Sequence, residues 1–560
     1  MTVHAINPGP RSAPSPGGLR WTSLIGAGLS LYVSRRARRL ADLAFWRSST
    51  AGIQRRELRG LIGRAAGTEF GRSRGFARMA DRGDEDLLRA YRDAVPLADY
   101  EGYRAGVRAM REEGRRDVLW PGLVRNYAQT SGTTAGDKYI PVSDEMLRSN
   151  FRASLDIFAH VARFGVSVPR LMGGRLLFLG GSTALSENAH GIKTGDLSGI
   201  VAPLIRWPLS RVYSPGHRIA LMDRWPEKIE AMARATLDQD IRFISGMPSW
   251  TLVLMARVME LARERGLPAR SVRDVWPHLT LLVHGGVKYA PFEPRVREAW
   301  SGSPRGDDVP HRFEVYPASE GFIAMQDTPG DPGLRLCSDV GIFYEFVPLE
   351  SIDDPAAPAF TCERVEKGQR YVVVMSTCAG LWRYIIGDVV EFDTIPGGLD
   401  GSGGEGPCRL RIVGRHKHFI NAFGENIIVE HVENAVARAA REAGVTVGEF
   451  TAAPVYPGEG RPAGLELAVE CERGLDDPGV RARFAGAFDA AIKEQNVDYT
   501  TKRTDNLGMA PPVVTVLPAG AFHAWLASRG KLGGQHKCPR CANHREIISA
   551  VVASARGAGR

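Results

Sequence analysis

The chain has 560 residues, well beyond the roughly 250–300 at which a single hydrophobic core stops growing, so two or more domains are expected. Hydrophobic residues make up 44% and charged residues 24%, the composition of a soluble globular protein rather than a disordered one. Positive side chains exceed negative ones by 72 to 63, and this +9 is spread too thinly to indicate a nucleic-acid-binding protein.

The N-terminal region contains an arm and an apolar stretch. Residues 1–20 include four prolines with several glycines and serines, which predicts a flexible arm. The stretch WTSLIGAGLSLYV (21–33) is too short to span about 30 Å of hydrocarbon and lacks a cleavage pattern, so we expect a packed helix without stable membrane insertion. The arginine-rich SRRARRLADLAFW that follows is typical of a solvated helix face, with nucleic-acid or anionic-membrane contact as the alternative. Residues 25–115 are predicted to be mostly helical.

Cysteine usage indicates the redox compartment. Seven cysteines are scattered along the chain, and this odd number favours a reducing cytoplasm over a disulfide framework. In HKCPRCANH (536–544), a Cys-x-x-Cys pair is flanked by two histidines. Structural zinc usually draws ligands from two separated knuckles and no second pair exists, so the pattern leaves metal binding open but does not favour it.

The region after residue 170 predicts an α/β sheet. Short apolar runs end in small or polar residues and alternate with helical patterns, which predicts strand–loop–helix repeats with ligand-carrying loops at the strand C-termini. These runs are GRLLFLGG (174–181), IRFISGMPSW (241–250), LTLLVHGG (279–286) and HRFEVYPASE (311–320).

A second strand-rich stretch and a smaller α/β unit complete the predicted architecture. The strands lie within 340–350, 369–392 and 409–420, and a glycine-rich hairpin-like excursion (396–407) is expected to be exposed. A smaller unit begins at about residue 421, with helices predicted over 428–444 and 479–496 and strands over 465–470 and 511–518. The predicted fold class is therefore α/β, with a flexible arm (1–20), a large N-terminal domain with mixed sheets (21–416) and a smaller mobile C-terminal cap domain (417–560).

The polar stretch YAQTSGTTAGDKYIP (127–141) is the first candidate for phosphate binding. It is not a Walker A loop, because Asp137 separates Gly136 from the lysine and Tyr139 follows it. Glycines nevertheless allow backbone N–H groups to turn toward an anion, and the serine and threonines add hydroxyl donors. Taken alone, the loop is equally consistent with an ordinary polar turn.

Four other segments carry candidate polar groups. YPASEG (316–321) places an aromatic ring, a hydroxyl and a carboxylate at a strand end, and WRYIIGDVVEF (382–392) places Asp388 in a predicted turn. GRHKHFINAFGENI (414–427) brings basic residues to the predicted domain junction, and RGKLGGQHKCPR (529–540) contains Lys537. Each group taken singly also has an ordinary structural or solvated role.

The order of these segments resembles the GH3 family of acyl-acid amido synthetases, within the adenylate-forming superfamily. The resemblance extends over residues 50–550 and is closer to the bacterial members than to the plant auxin- and jasmonate-conjugating enzymes. Besides the segments above, it includes TEFGRSRGF (68–76), VPLADYEGY (95–103) and FYEFVPL (343–349).

The resemblance implies roles for particular residues. Lys537 would be the catalytic lysine of the cap domain, and Glu320 would ligate Mg²⁺, a hard cation that prefers oxygen. Asp388 would bind the ribose. The remaining ATP-binding positions implied are Thr130, Ser131, Gly132, Thr133, Thr134, Gly286, Val287, Tyr316, Ser319, Arg415 and Lys417. The hinge HKHFINAFGEN departs from the plant pattern, which leaves open whether His416 or Lys417 faces the phosphates.

The implied activity uses ATP and Mg²⁺ to convert a carboxylic acid into an acyl-adenylate, which then reacts with an amine, expected to be an amino acid. Alternatives are an acyl-CoA or other acyl-thioester ligase that uses the same adenylate, and a non-catalytic small-acid binder. We expect a cytoplasmic monomer with no nucleic-acid partner. Which acid and which acceptor are used does not follow from the sequence, although residues 171–199, Trp250 and the 284–289 loop are candidates for lining the acid pocket.

Overall fold

A computed structural model describes most of the chain between residues 21 and 557. The predicted N-terminal arm lies outside the described residues. The described ranges are 21–130, 138–180, 185–222, 225–286, 289–290, 292–354, 356–416, 419–420, 427–455, 464–496, 499–500, 503, 509–529, 537–542 and 544–557. Within these ranges, no helix combines the length and the apolarity that a membrane crossing requires.

The N-terminal region is helical, as the sequence predicts. The helices are α1 (Trp21–Ala41), α2 (Leu43–Ala65), α3 (Glu69–Ser73), α4 (Phe76–Met79), α5 (Asp84–Ala94) and α6 (Tyr100–Glu112). Asp42 separates the first two helices, and its side chain accepts a hydrogen bond from the Phe45 N–H, which caps α2. Buried residues of α6 recur at helical spacing, at Tyr100, Tyr103, Val107 and Met110, so one face of the helix packs inward.

An aromatic cluster joins these helices to the sheets. Phe76 is fully buried, and its ring lies 4.8 Å from that of Trp382 and 6.2 Å from that of Tyr91, measured between centroids. Trp382 also stacks on Phe70 at 6.0 Å. Trp382 lies two residues before the first residue of the strand that carries Asp388, so this cluster anchors that strand to the helical region.

Two sheets form the body of the protein. A four-stranded sheet has the order β2-β1-β5-β4, and a large sheet has the order β12-β13-β14-β15-β11-β10-β9-β8-β7-β3-β6. The strands of the small sheet are β1 (Asn126–Thr130), β2 (Lys138–Val142), β4 (Ser186–Glu187) and β5 (Lys193–Gly195). Those of the large sheet are β3 (Arg175–Phe178), β6 (Tyr213–Ser214), β7 (Ile241–Ser245), β8 (Leu281–Gly285), β9 (His311–Ala318), β10 (Gly321–Gln326), β11 (Leu334–Leu336), β12 (Ile342–Pro348), β13 (Tyr371–Thr377), β14 (Tyr384–Thr394) and β15 (Arg409–Arg415).

The large sheet combines the two strand-rich stretches that the sequence separates. β3, β7, β8 and β9 are parallel, as expected for strand–loop–helix repeats. The β9–β10 pair and the β11–β15 pair then continue the same sheet in antiparallel fashion. The intervening helices are α7 (Asp144–Arg163), α8 (Val168–Met172), α9 (Leu197–Val201), α10 (His217–Ala220), α11 (Trp225–Leu237), α12 (Pro248–Glu264), α13 (Val272–Val275) and α14 (Glu293–Ser301), with 3₁₀ segments at Ala202–Leu204, Leu209–Arg211 and Leu349–Ser351.

The C-terminal residues form a smaller α/β unit. Its elements are β16 (Phe419–Ile420), β17 (Ile427–Ile428), α15 (Val429–Ala443), β18 (Val447–Val455), β19 (Gly464–Cys471), α16 (Pro478–Gln495), β20 (Val513–Leu517), α17 (Ala521–Ser528) and α18 (Glu546–Gly557). The predicted helices α15 and α16 and strands β19 and β20 are confirmed. β18 was not predicted, because its alanines and proline weaken the strand pattern, but it pairs antiparallel with β19 along its length.

One prediction about the candidate site is wrong. Asp388 does not lie in a turn, because it is inside β14, where it pairs with Arg415 of β15. The preceding Gly387 has φ +95°, a conformation that favours glycine, and the His416 N–H donates to its carbonyl. The glycine therefore marks a local irregularity in a strand rather than a reversal of the chain.

All seven cysteines are buried, and none of them forms a disulfide with another described residue. Cys541 forms an isolated parallel bridge with Ala452 of β18, so the Cys-x-x-Cys segment packs as part of the C-terminal unit. Burial raises the pKa of Cys538 to about 12 and also raises that of Cys541, which disfavours the thiolate that zinc requires. No group of three or more metal-ligating side chains occurs among the residues that the structure describes.

The aromatic cluster generates a stability prediction. Phe76→Ala should lower the free energy of unfolding by about 3–5 kcal/mol, because it removes a fully buried ring and leaves a cavity among other rings. The midpoint of guanidinium unfolding, followed by tryptophan fluorescence, measures the effect. Phe151→Ala is the matched control, since Phe151 is 54% exposed on α7 and should change the midpoint little. Equal midpoints for the two variants would contradict the assignment of the cluster as the anchor.

Candidate active site

A cleft of about 2190 Å³ runs along the carboxyl ends of the parallel strands. Its walls include Gly180 after β3, Gly246 after β7, and Gly285 at the end of β8. Ligands of open α/β sheets bind at this edge, where the loops leave the strands. The C-terminal unit contributes Lys537 and Arg540 to the opposite wall, so both parts of the chain line the same cleft.

Glycines at the end of β8 allow a close approach to the cleft. A Cβ added to Gly285 would lie 2.2 Å from the carbonyl oxygen of Val315 on the neighbouring strand. Gly286 has φ +80°, and a Cβ there would lie 2.7 Å from the Lys537 Nζ. A side chain at Gly285 would therefore collide with β9, and a side chain at Gly286 would block Lys537.

Asp388 is held between two partners from neighbouring strands. The Tyr316 hydroxyl donates to Asp388 Oδ2 at 2.5 Å, and the Arg415 Nε donates to Oδ1 at 2.5 Å. Asp388 is 6% and Tyr316 5% exposed, whereas the Arg415 side chain is half exposed and reaches the cleft. Burial and the charge of Asp388 raise the pKa of Tyr316, so this phenol remains a hydrogen-bond donor.

Glu320 lies at the tight connection between β9 and β10, next to Ser319, and both side chains are buried. Burial raises the pKa of Glu320, and the positive charges of Lys138 and Arg415 oppose that rise. Near it, the buried Tyr384 hydroxyl has no well-formed hydrogen bond among the described residues. Burial followed by the Glu320 charge raises the pKa of Tyr384. The carboxylate therefore lies beside the Tyr384 hydroxyl, with the cationic Lys138 and Arg415 nearby.

Lys537 reaches the cleft from the C-terminal unit. Its ammonium donates a hydrogen bond to the Gly286 carbonyl oxygen across the cleft. The surrounding protein, with the positive charges of Arg415 and Arg540, lowers the pKa of Lys537 to about 8, although the side chain keeps contact with solvent. An anion bound here would counter this concentration of positive charge.

Several predicted positions lie outside the described residues. These are Ser131, Gly132, Thr133, Thr134, Val287 and Lys417. Thr130 ends β1 and pairs with Lys138 of β2, so the two strands converge on the predicted phosphate loop. His416 is buried, and its ring Nδ1 lies 3.2 Å from the Gly387 carbonyl oxygen, which ties the imidazole to β14.

Sequence reasoning missed Lys138 and Tyr384 as neighbours of Glu320. Lys138 belongs to the polar stretch YAQTSGTTAGDKYIP. Its position near the β9–β10 connection depends on the pairing of β1 with β2 and on the packing between the sheets. Tyr384 and Asp388 are four residues apart on the same strand but have different neighbours, because the backbone of β14 is irregular. Neither contact has a local sequence signal.

Models of one protein family match three parts of the chain. The GH3 family N-terminal domain matches residues 39–213, the GH3 family central domain matches residues 336–397, and the GH3 family C-terminal domain matches residues 430–546. Together these matches cover more than half of the 560 residues. They include Thr130, Asp388 and Lys537, whereas Tyr316 and Glu320 fall between them.

Individual proteins show the same similarity. The indole-3-acetic acid-amido synthetase GH3.8 of Oryza sativa subsp. indica is 23% identical over 577 residues, covering 90% of each chain. The indole-3-acetic acid-amido synthetase GH3.3 of Arabidopsis thaliana is 21% identical to this chain, and the match covers 89% of this chain and 90% of the relative. Among solved structures, the GH3.15 acyl acid amido synthetase has a TM-score of 0.73 at 17% identity and covers 97% of both chains. A 2-hydroxyisobutyryl-CoA ligase in complex with an acyl-AMP has a TM-score of 0.54 at 15% identity, covering 90% of this chain and 91% of its own.

The charge distribution of the cleft predicts an unusually reactive lysine. Lys537 should react with trinitrobenzenesulfonate with a midpoint near pH 8, because burial and neighbouring arginines lower its pKa, whereas ordinary lysines titrate near about 10.4. Peptide mapping of the labelled protein over a pH series identifies the site. Lys537→Arg should remove this component, and a Lys537 midpoint above pH 9.5 would contradict the described environment.

Proposed function

The chain belongs to the GH3 family, and from that premise we propose that it is an ATP-dependent acyl-acid amido synthetase. It joins a carboxylic acid to an amine through an acyl-adenylate, and the amine is expected to be an amino acid. The observation that carries the proposal is the convergence of Tyr316, Asp388 and Arg415 with Lys537 of the C-terminal unit on one cleft. A hydrogen-bonded carboxylate beside several cationic groups suits a nucleotide, which has both hydroxyls and phosphates.

Asp388 binds the ribose in this proposal. Its carboxylate accepts hydrogen bonds from the Tyr316 phenol and from Arg415, which fix its orientation before the nucleotide arrives. Gly286 borders the adenine with Val287, and Ser319 adds a nucleotide contact near Tyr316. The loop from Thr130 to Thr134 holds the phosphates together with Arg415 and Lys417, because its glycine and hydroxyl groups offer donors to phosphate oxygens.

Glu320 is the proposed magnesium ligand. The chemistry of the site fits the ion. The Glu320 carboxylate is buried and has a raised pKa, because the nearby positive charges do not fully compensate its own charge. The buried Tyr384 hydroxyl beside it lacks a well-formed hydrogen bond among the described residues. Mg²⁺ bound there would neutralise charge on the ATP phosphates. Lys138 lies close enough for its positive charge to favour the ionised carboxylate, and so supports the same function.

Lys537 is the proposed catalytic residue of adenylation. The acid attacks the α-phosphorus of ATP through a carboxylate oxygen, the bond to pyrophosphate breaks, and negative charge builds on the phosphoryl oxygens. An ammonium at the position of Lys537 stabilises that charge. The neutral amine then attacks the acyl carbon and forms the C–N bond, AMP leaves with the electron pair of the broken C–O bond, and the nitrogen loses a proton to solvent.

Movement of the C-terminal unit accompanies the two half-reactions. We place the boundary near residue 416, with a catalytic body over 21–416 and a cap over 417–560. Rotation of the cap would withdraw Lys537 after adenylation and open a route for the amine. The buried cysteines form no disulfides among the described residues, which supports a reducing cytoplasm as the site of action, and we propose that the protein acts there as a monomer without membrane insertion.

Acid-dependent ATP–pyrophosphate exchange tests the proposed function. We expect at least one member of a carboxylic-acid library to support exchange with Mg²⁺ present and no amine added. Analysis of products with amino acids, and with CoA in place of them, then identifies the acceptor class. Amide product supports the proposal, thioester product alone would replace it with an acyl-thioester ligase, and no exchange with any acid would contradict the adenylation chemistry.

Substitution of the lysine separates the half-reactions. Lys537→Ala should slow exchange by 100-fold or more, a loss on the order of that seen when one charge-stabilising donor is removed from a transition state. Amide formation from supplied acyl-adenylate should fall much less, because the cap has withdrawn the lysine by then. Single-turnover kinetics measures both steps. Equal losses in both steps would contradict the assignment.

A further inference from the structure

The segment that carries Lys537 has a repeated pattern, of which the proposed adenylation uses only the first half. In KCPRC (537–541), each of the two cationic residues, Lys537 and Arg540, stands directly before a cysteine. Cys538 and Cys541 are buried, and they pack in two different apolar clusters of the C-terminal unit. The cysteines therefore hold the segment against the core of that unit, while both cationic residues line the cleft.

Hydrogen bonds attach this segment to β18. The Ala452 N–H donates to the Arg540 carbonyl oxygen at 2.9 Å, and the Thr451 hydroxyl donates to the Pro539 carbonyl oxygen at 2.6 Å. Lys537 lies two residues before Pro539. Because each residue spans at most about 3.6 Å of chain, the backbone of the lysine lies within about 7 Å of these attachments. A shift of the segment on β18 would therefore move Lys537 with it.

The Arg540 side chain adds an ion pair to this attachment. Its Nη1 donates to Glu449 Oε2 at 2.6 Å, and its guanidinium carbon lies 4.4 Å from the centroid of the Phe450 ring. Only 12% of the Arg540 side chain is exposed. A planar guanidinium that is paired with a carboxylate and stacked on a ring is fixed in position and in orientation. Arg540 is therefore bound within the C-terminal unit, whereas Lys537 extends across the cleft to the Gly286 carbonyl oxygen.

We propose that Arg540, held by Glu449, is a positioning residue for the proposed catalytic lysine. The inference rests on the proposed function and deepens it, because it names the contact that directs Lys537 toward the reacting phosphoryl group. The ion pair fixes the backbone that follows Lys537 against β18, so that the ammonium enters the cleft from a defined direction. Such positioning affects the rate strongly, because a displacement of about 1 Å can lower a rate on the order of 100-fold.

The two members of the ion pair affect the charge of Lys537 in opposite directions. Burial is the main cause of its pKa of about 8; Arg415 of β15 and Arg540 lower that pKa further, whereas Asp388 of β14 and Glu449 of β18 raise it. Arg540→Gln should therefore raise the pH midpoint of Lys537 labelling, and Glu449→Gln should lower it. A segment that had merely become loose would admit water to the lysine and raise the midpoint in both variants.

Two measurements on these variants test the inference. Trinitrobenzenesulfonate labelling over a pH series reports the Lys537 midpoint whether or not the protein is active, and ATP–pyrophosphate exchange with the strongest library acid reports adenylation. We expect the exchange kcat to fall about tenfold or more in both glutamine variants, although their midpoints shift in opposite directions. The KM for the acid should change by less than a factor of two. Arg540→Lys keeps the charge without the planar fork, so its midpoint should stay near that of the unaltered protein and its kcat should be intermediate.

Arg545→Gln is the matched control. Arg545 donates to Glu466 at 2.5 Å and to the carbonyl oxygen of Pro454 on β18 at 2.9 Å, which is the same kind of attachment in the same unit. It is not among the described residues that line the cleft. This variant should therefore leave the Lys537 midpoint and the exchange kcat unchanged.

The possible outcomes separate the inference from the proposed function. An exchange kcat within twofold of the unaltered value in Arg540→Gln, or midpoints that rise together in both glutamine variants, would overturn the inference alone. Glu449→Gln and Arg540→Lys decide the question if Arg540→Gln does not fold. A KM for ATP that rises in both Arg540 variants at unchanged kcat would assign Arg540 to nucleotide binding and also overturn it. Absence of exchange in the unaltered protein would defeat the proposed function and, with it, this inference.

Discussion

The buried carboxylate of Asp388 is the constraint on which the site depends. It joins Tyr316, 72 residues earlier in the chain, to Arg415, 27 residues later, and so fixes the relative positions of β9, β14 and β15. A buried charge is tolerated only with partners that satisfy it, and removal of one partner leaves an uncompensated group. Glu320 follows Tyr316 closely, and Arg415 is among the charges that lower the pKa of Lys537. The same contacts therefore organise the proposed metal ligand and the charge around the proposed catalytic lysine.

The cleft holds a local group of positive side chains around Lys537. Lys537 and Arg415 face it from the two parts of the chain, and Lys138 lies near enough to Glu320 to affect its ionisation. Burial is the main cause of the low pKa of Lys537, and the positive charges of Arg415 and Arg540 lower it further. Binding of ATP would raise the pKa of Lys537 and strengthen its contact with the body. Release of pyrophosphate would weaken that contact, which gives the proposed cap movement an electrostatic cause.

The sequence predicts much of the fold, because its signals there are local. Alternating short apolar runs and helical patterns identify β3, β7, β8 and β9, and helical periodicity identifies α2 and α15. Asp388 was misplaced because a glycine before a polar residue usually indicates a turn, whereas here Gly387 adopts a positive φ within a strand. The pairing of β11 with β15 and the approach of Lys138 to Glu320 depend on contacts between distant segments. No window of the sequence contains them.

The central claim is that the acid's own oxygen becomes bonded to the α-phosphorus of ATP. Transfer of ¹⁸O from a carboxylate-labelled acid, chosen for its ability to support exchange, tests this most directly during amide formation. The account predicts one ¹⁸O atom in the phosphate of AMP and none in inorganic phosphate, detected by mass spectrometry. Label in inorganic phosphate together with formation of ADP would indicate an acyl-phosphate route and would contradict the account.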